Sequence, residues 1–377
     1  MVLLCENIVG SECKHGEHRR LAGGSAPIGG MFGNVDDSIT QIVETALRNG
    51  INFIDTAYWY GQSRSESILG KVLSQVPRKA YYISTKIHDA DFTPQENIIL
   101  YETLQALEMA RHSGKIRYIG LTGYELRKLG LIIDCSTVRI DILLTYCHGS
   151  MNDNSIGEFI SLFKGGNGVV PHPTSMRKGV GILNGSPLSM GLLTERGPPP
   201  WHPAADFIKE ACLAATHYCL SKNISISKLA LSYALEVPGC SACVVGMDSI
   251  QQVRDNIALC TTASLTDVEQ RVRDRLMRRY FDRLENAGWS GMDVAAYWQR
   301  LKKLGLTALA THRHSSVESL GSTLNGFSLH SSRSSSDVRF NFELQKKMRL
   351  WDSMMQSRIT EAALIKPTNA RHAKMNP

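Results

Sequence analysis

The sequence predicts an α/β fold built on a largely parallel sheet, and three observations predict it. Helix-like and strand-like patterns alternate along the chain, the strand candidates are short apolar runs, and polar residues collect where those runs end. Ile39, Ile42, Val43, Ala46 and Leu47 recur at helical spacing behind the capping candidates Asp36 and Asp37, and Gly50 stands where that helix should stop. INFI (51–54) reads as a buried strand with Asp55 at its C-terminal end. The next helix turns Ile68, Leu69, Val72, Leu73 and Val76 inward, and residues 80–87 form the following strand. A helix over 95–112 precedes strands over 116–121, 140–146, 180–184 and 242–245. Six strands are clear in this reading.

Composition narrows the class. The 377 residues are 43% hydrophobic, which is normal for a globular protein and sufficient for a sizeable core. Of the net charge of +7, residues 311–377 carry +5, from ten basic and five acidic side chains. The body is therefore almost neutral, which argues against a nucleic-acid groove, since phosphate binding needs Lys and Arg clustered on one face. Nine scattered cysteines do not make a disulfide framework, and a reducing cytosol fits them. No apolar run approaches the roughly 18 residues of a membrane span, and MVLLCENIVGSECKHGEHRR lacks the layout of a signal peptide. The expected location is cytoplasmic, with no nucleic-acid or membrane partner and an open oligomeric state. Residues 1–24 read as an irregular arm, 25–305 as the folded domain with an irregular insert at 165–177, and 306–377 as a Ser-rich, disordered tail.

Parallel α/β folds build their sites from the loops at the C-terminal ends of strands. Asp55, Tyr58 and Tyr60 follow the first clear strand, Lys86 and His88 end the second, Thr122 and Tyr124 follow the third, and Ser186 to Ser189 follow the fifth. These residue types suit hydride transfer to or from a carbonyl carbon. A carbonyl that accepts hydride must gain a proton, and a tyrosine supplies it when a neighbouring lysine ammonium lowers its pKa from about 10. A buried aspartate holds the lysine charged, and a histidine donates to the oxygen as it becomes an alkoxide. Asp55, Tyr60, Lys86 and His88 are the required types. No side chain carries hydride, so the chemistry calls for a nicotinamide cofactor.

DTAYWYGQSRSE (55–66), STK (84–86), HDAD (88–91), SPLSMGLLT (186–194) and GMDSIQQVRDN (246–256) resemble the aldo-keto reductases, and among them the L-galactose dehydrogenase-like branch. The resemblance covers roughly residues 25–305. It implies a (β/α)8 (TIM) barrel that binds NAD or NADP at the C-terminal ends of its strands and acts on a small carbonyl or sugar substrate, with oxidation of an aldose to its lactone as one candidate. It implies Tyr60 as general acid/base, Asp55 and Lys86 as its tuning pair, and His88 as the carbonyl-orienting histidine. Ser186, Pro187, Leu188 and Ser189 match the diphosphate loop, whereas Gly246, Met247, Gln252 and Asn256 match the segment around the adenosine end. Thr122 and Gly123 match the carboxamide site, where Gly123 offers no side chain. No Lys or Arg lies in 246–249 to meet a 2′-phosphate, and Asp248 would repel one, so NAD is favoured over NADP.

The chain departs from the family in architecture. Relatives place a helix and the start of another strand between the catalytic lysine and histidine, whereas Lys86 and His88 are two residues apart. Positions i and i+2 of a strand share a face, so both could point inward, but a βα unit is missing. The first barrel strand is also hard to find, because HRRLAGGSAPIGG has no apolar run. The barrel is expected to be incomplete. Three readings follow: a working NAD(P)-dependent oxidoreductase, a catalytically impaired binding or regulatory relative, and a shortened product of an enzyme gene.

Other motifs receive structural readings. Cys240 and Cys243 have C-x-x-C spacing without a second pair and read as buried thiols, and Cys13, His15 and His18 lie in the irregular arm, so no metal is expected. The Arg-rich stretch 271–283 reads as a solvated, ion-paired helix face behind a capping box of Thr266 and Glu269. The direction of His148, beyond the strand at 140–146, is open.

Overall fold

The computed structural model describes residues 2–6, 20–35, 37–87, 96–164, 180–261, 264–290, 292 and 294–304, with backbone alone for 2–6. All of them belong to one compact unit. The tail expected over 306–377, the insert at 165–177, His88, and the Cys13, His15 and His18 group lie outside the described residues.

Seven parallel strands form a curled sheet in the order β4-β3-β2-β8-β7-β6-β5, and β1 (Val2–Glu6) stands between β4 and β5. They are β2 (Leu21–Gly24), β3 (Phe53–Asp55), β4 (Tyr82–Ile87), β5 (Tyr118–Gly123), β6 (Ile142–Tyr146), β7 (Gly181–Gly185) and β8 (Ala242–Gly246). The expected (β/α)8 type is thus present and lacks one βα unit, as the spacing of Lys86 and His88 implied. The count of six strands is corrected to eight among the described residues. The first parallel strand lies inside the segment expected to be irregular. LAGG was invisible as an apolar run because a strand of four residues lines the barrel with Ala22 and approaches its neighbour through glycine. A Cβ on Gly24 would sit 3.4 Å from the backbone of Val245 and Gly246.

Side chains alternate along the strands as a two-residue period requires. Ala22, Phe53, Tyr82, Tyr118, Leu144, Leu183 and Val244 fill the barrel interior, whereas Ile119, Leu121, Leu143 and Ile182 face the helices. Several strands start later than their apolar runs because Ile51, Ile116 and Ile140 are buried against the helix layer before ladder pairing begins.

The helices follow their periodicity. α1 (Ile39–Arg48) buries Ile42 and Val43 and ends before Gly50, whose φ of 90° favours glycine. Its N-cap is Ser38 rather than Asp37, and Asp37 instead accepts a 2.7 Å bond from the backbone N–H of Ile250. α2 (Arg64–Leu73) packs Leu69 and Leu73 against β3, with Ile68, Val72 and Val76 at the margin. Glu96–Ile98 and Leu104–His112, joined by a π turn at Ile99–Thr103, make α3. The remainder are α4 (Leu126–Cys135), α5 (Ile156–Phe163), α6 (Asp206–Leu220), α7 (Ile226–Leu235), α8 (Ile250–Thr261), α9 (Asp267–Leu276) and α10 (Val294–Lys303). The capping box of Thr266 and Glu269 opens α9, and in the Arg-rich stretch Arg273 pairs with Glu236 at 2.8 Å while Arg275 and Arg279 lie over the rings of Tyr218 and Tyr280. Cys243 is buried in β8, where burial pushes its thiol up, in line with a structural thiol.

Between β4 and β5 the described chain supplies only α3. The outer face of β4 is consequently left beside a groove of about 480 Å³ lined by Leu69, Leu73, Ile83, Thr85 and Ile116. No helix among the described residues is long and apolar enough to cross a membrane.

Candidate active site

The polar site grows from the ends of β3 and β4. Asp55 closes β3 and pairs in register with Ser84 on one side and Gly24 on the other, while Gly246 also pairs with Gly24. One row across the sheet therefore holds Gly246, Gly24, Asp55 and Ser84. Lys86 lies two residues beyond Ser84 and so faces inward with it.

The Lys86 Nζ sits 2.6 Å from both Oδ1 and Oδ2 of Asp55, 3.0 Å from the Thr56 carbonyl oxygen and 3.2 Å from Tyr60 Oη. The Ser84 hydroxyl donates to Asp55 Oδ1 at 2.8 Å, and Tyr60 donates to Asp55 Oδ2 at 3.1 Å. A charged pair this dry survives because almost every lone pair and N–H is engaged.

Tyr60 is carried by a tight loop pinned to the loop after β2. A Cβ on Gly29 would lie 2.4 Å from the Tyr60 carbonyl oxygen, and one on Gly61, at φ +72°, would lie 2.2 Å from the Gly29 carbonyl oxygen. Both positions therefore require glycine. Ser65 donates to Ser25 Oγ at 2.7 Å and lies 3.1 Å from Thr56 Oγ1, tying the start of α2 to both strand ends.

The expectation that Lys86 lowers the Tyr60 pKa is corrected. Burial first, and the Asp55 carboxylate second, push the Tyr60 phenol well above 10. Lys86 lies closer to Asp55 than to Tyr60, so the carboxylate offsets its charge. The phenol keeps its proton, which it donates in the hydrogen bond to Asp55 Oδ2.

Thr122 is buried at the C-terminal end of β5. Tyr146, which sequence reasoning did not single out, ends β6 on the inward face beside Ser186 and adds its field to that of Asp55 at Tyr60. Its signal was the alternation of Ile142, Leu144 and Tyr146. His148 is buried and engaged by its neighbours at both ring nitrogens. Its Nε2 donates to the Tyr124 carbonyl oxygen at 2.5 Å, and its Nδ1 meets Asp153 Oδ2 at 2.8 Å and Ser155 Oγ at 3.0 Å. Tyr124 stacks on Trp289 at 5.1 Å and accepts the Trp289 backbone N–H at 2.9 Å.

The loop after β7 gathers Ser186, Pro187, Leu188 and Ser189. Ser186, Ser189 and Met190 all have positive φ, and the Ser186 hydroxyl accepts the Met190 N–H at 3.0 Å. Ser189 is fully buried and donates to Asn152 Oδ1 at 2.6 Å, while Leu188 packs into the core, so neither side chain lines an open site. His202 braces this loop by donating from Nε2 to the Ser189 carbonyl oxygen at 3.1 Å. At the end of β8, Gly246 abuts Pro27, Met247 is buried, the exposed Gln252 accepts the Asp248 N–H at 3.0 Å, and Asn256 is half-buried farther along α8. The Asp248 Oδ2 meets Arg196 at 3.1 Å, so a cation outside 246–249 does reach this corner. Its Oδ1 is buried without a hydrogen-bond partner among the described residues.

The sequence model described as "Aldo/keto reductase family" matches residues 21–99 and 87–275, two stretches that meet at the joint where the βα unit is missing. L-galactose dehydrogenase of Arabidopsis thaliana is 35% identical over 286 residues, covering 66% of this chain and 86% of that protein. D-arabinose 1-dehydrogenase of Saccharomyces cerevisiae is 24% identical over 304 residues, covering 67% and 87%. Among solved structures, a glycerol dehydrogenase from Gluconobacter oxydans superposes with a TM-score of 0.50 at 19% identity, over 77% of this chain and 98% of that one. An aldo-keto reductase from Bacillus halodurans gives 0.50 at 20%, over 72% and 96%. Matched over most of its length by the family model, the chain belongs to the aldo/keto reductase family of oxidoreductases.

Proposed function

We propose that the chain moves a hydride between a nicotinamide cofactor and the carbonyl or alcohol carbon of a sugar or small aldehyde, in the manner of an L-galactose dehydrogenase-like aldose oxidation. The observation that carries this reading is the Asp55–Lys86–Tyr60 constellation, with a protonated phenol beside a dry ion pair. The two sugar dehydrogenases among its relatives support the substrate class.

The donor set fits a nicotinamide, because it moves protons and holds charge but contains nothing that carries hydride. The bound cofactor supplies or accepts that hydride. Tyr60 gives its phenolic proton to the carbonyl oxygen as hydride reaches the carbon, and takes a hydroxyl proton when the alcohol is oxidised. Lys86 and Asp55 fix the phenol and hold the field around it. In aldose oxidation the C1–H leaves as hydride and the C1 hydroxyl loses its proton, which leaves the lactone.

Thr122, the Ser186–Ser189 loop and the segment from Gly246 to Asn256 would hold the cofactor. NAD is favoured over NADP: the unpartnered Asp248 Oδ1 suits a hydroxyl donor and repels a phosphate, although Arg196 offsets part of its charge. His88 is proposed to orient the carbonyl.

In the Tyr60→Phe variant, carbonyl reduction should fall by about 10²–10⁴-fold or more, while NADH binding, read by fluorescence titration, stays nearly unchanged. Unaltered turnover would remove Tyr60 from the mechanism. A second reading, a relative that binds cofactor without turning over, is favoured by the missing βα unit. It predicts NADH binding with no reduction of any aldose or aldehyde tested.

A further inference from the structure

Loss of a βα unit should leave β4 and β5 as facing edges, each with a row of unpaired N–H and C=O groups beside the active lysine. The slot is instead filled by Val2–Glu6. Val2 pairs with Ile87 and Leu121, Leu3 with Lys86 and Gly120, Leu4 with Thr85 and Ile119, and Cys5 with Ser84 and Tyr118. The slot is thus one strand wide and takes an extended segment in antiparallel register on both sides.

We propose that this slot is a strand-accepting site, and that the N-terminal segment of the same chain is its occupant, standing in for the missing strand with reversed direction. The direction follows from the connection. Antiparallel pairing puts Glu6 beside Ile83 at the entry end of β4, the end from which β2 also starts. The two points to be joined, Glu6 and Leu21, thus lie at the same end of the barrel. Fourteen intervening residues (7–20) reach up to about 46 Å at roughly 3.3 Å each, several times the three strand spacings to be crossed. Closure within one chain is therefore favoured over donation by a second copy. The occupant flanks the stretch of β4 that carries Ser84 and Lys86, so the segment holds the geometry of the site without contributing to its chemistry.

Hydrogen exchange on the full-length chain tests this directly. The amides of residues 3–6 should exchange about a hundredfold or more slowly than those of a free peptide with that sequence, as ladder amides do. Exchange at the free-peptide rate would overturn the proposal. Register is tested by oxidising the double variant Val2→Cys/Ile87→Cys and mapping the disulfide by mass spectrometry. It should form within one chain and far faster than in the offset variant Val2→Cys/Thr85→Cys. Equal rates in both variants would overturn the register. A cross-link between chains would overturn closure by the chain's own segment. If the cysteine variants do not fold, the exchange measurement on the unmodified chain still decides.

Discussion

With its ammonium 2.6 Å from both oxygens of Asp55, and both side chains no more than 3% exposed, Lys86 illustrates how a burial cost is met by geometry. Taking either charge out alone leaves its partner dry and unmatched, which typically costs about 3–5 kcal/mol. Asp55→Asn and Lys86→Met should each lower stability by that order in urea unfolding, and the double variant should lose clearly less than the two losses combined. Strict additivity would mean that the pair is not coupled in the folded state. The pH dependence has a definite sign. Because the Tyr60 pKa is raised in the folded protein, its burial as a phenol stabilises the fold below pH 10, and that contribution is lost as the pH rises through the folded value. In the proposed reaction the same protonation state keeps Tyr60 loaded as proton donor across neutral pH. Asp55, Tyr60 and Lys86 were legible in the sequence because their chemistry and their motif coincide. Ser25, Ser65 and Ser84 were not, since a serine gains its role only from what the fold brings within hydrogen-bond reach. His148 was legible as a residue type but not as a contact, because Asp153, Ser155 and the Tyr124 carbonyl set its direction.

The elements repeat this division. Amphipathic helices and strands with β-branched apolar runs were legible, since one physical signal, the burial period, defines both. The four-residue β2 escaped because its inward positions are filled by small side chains, and β1 escaped because five residues carry no signal of where they pair. The loop after β7 was legible as a motif, yet its support comes from His202, whose neutral ring donates to Ser189 and accepts the Ala204 N–H at 3.1 Å. Burial, with help from the charges of Lys209 and Arg300, pulls the His202 pKa down to about 4. The unfolded chain takes up this proton near pH 6.5, so the stability due to the neutral ring is present above 6.5 and is lost as the pH falls through 4. The full effect is about 3 kcal/mol. Melting temperatures of the parent and of His202→Gln should therefore differ most at pH 7.5 and converge toward pH 4.5. A gap that stays constant over this range would mean that His202 does not titrate with unfolding.

At the scale of the molecule, a barrel is a closed object in which strand number, tilt and stagger depend on one another. Seven parallel strands and one reversed strand meet that condition only if the body folds as a unit, and the groove outside β4, which no helix among the described residues fills, removes apolar contacts from one sector. Cofactor binding reads out whether closure succeeds, because the row of Gly246, Gly24, Asp55 and Ser84 spans four adjacent strands, β8, β2, β3 and β4. A ligand at about 100 times its dissociation constant stabilises the folded state by roughly 2.7 kcal/mol. For a folded body of roughly 280 residues, with an unfolding entropy of about 2.1 cal/mol/K per residue, this becomes a rise of about 5 °C in melting temperature. The thermal melt of the full chain should be cooperative and should shift by about that amount with NADH. A cooperative melt without a shift would leave an intact barrel whose cofactor site is lost. A broad, non-cooperative melt in both samples would mean that Val2–Glu6 does not restore the closure that the missing unit removed, and that Asp55, Lys86 and Tyr60 are no longer held together in solution.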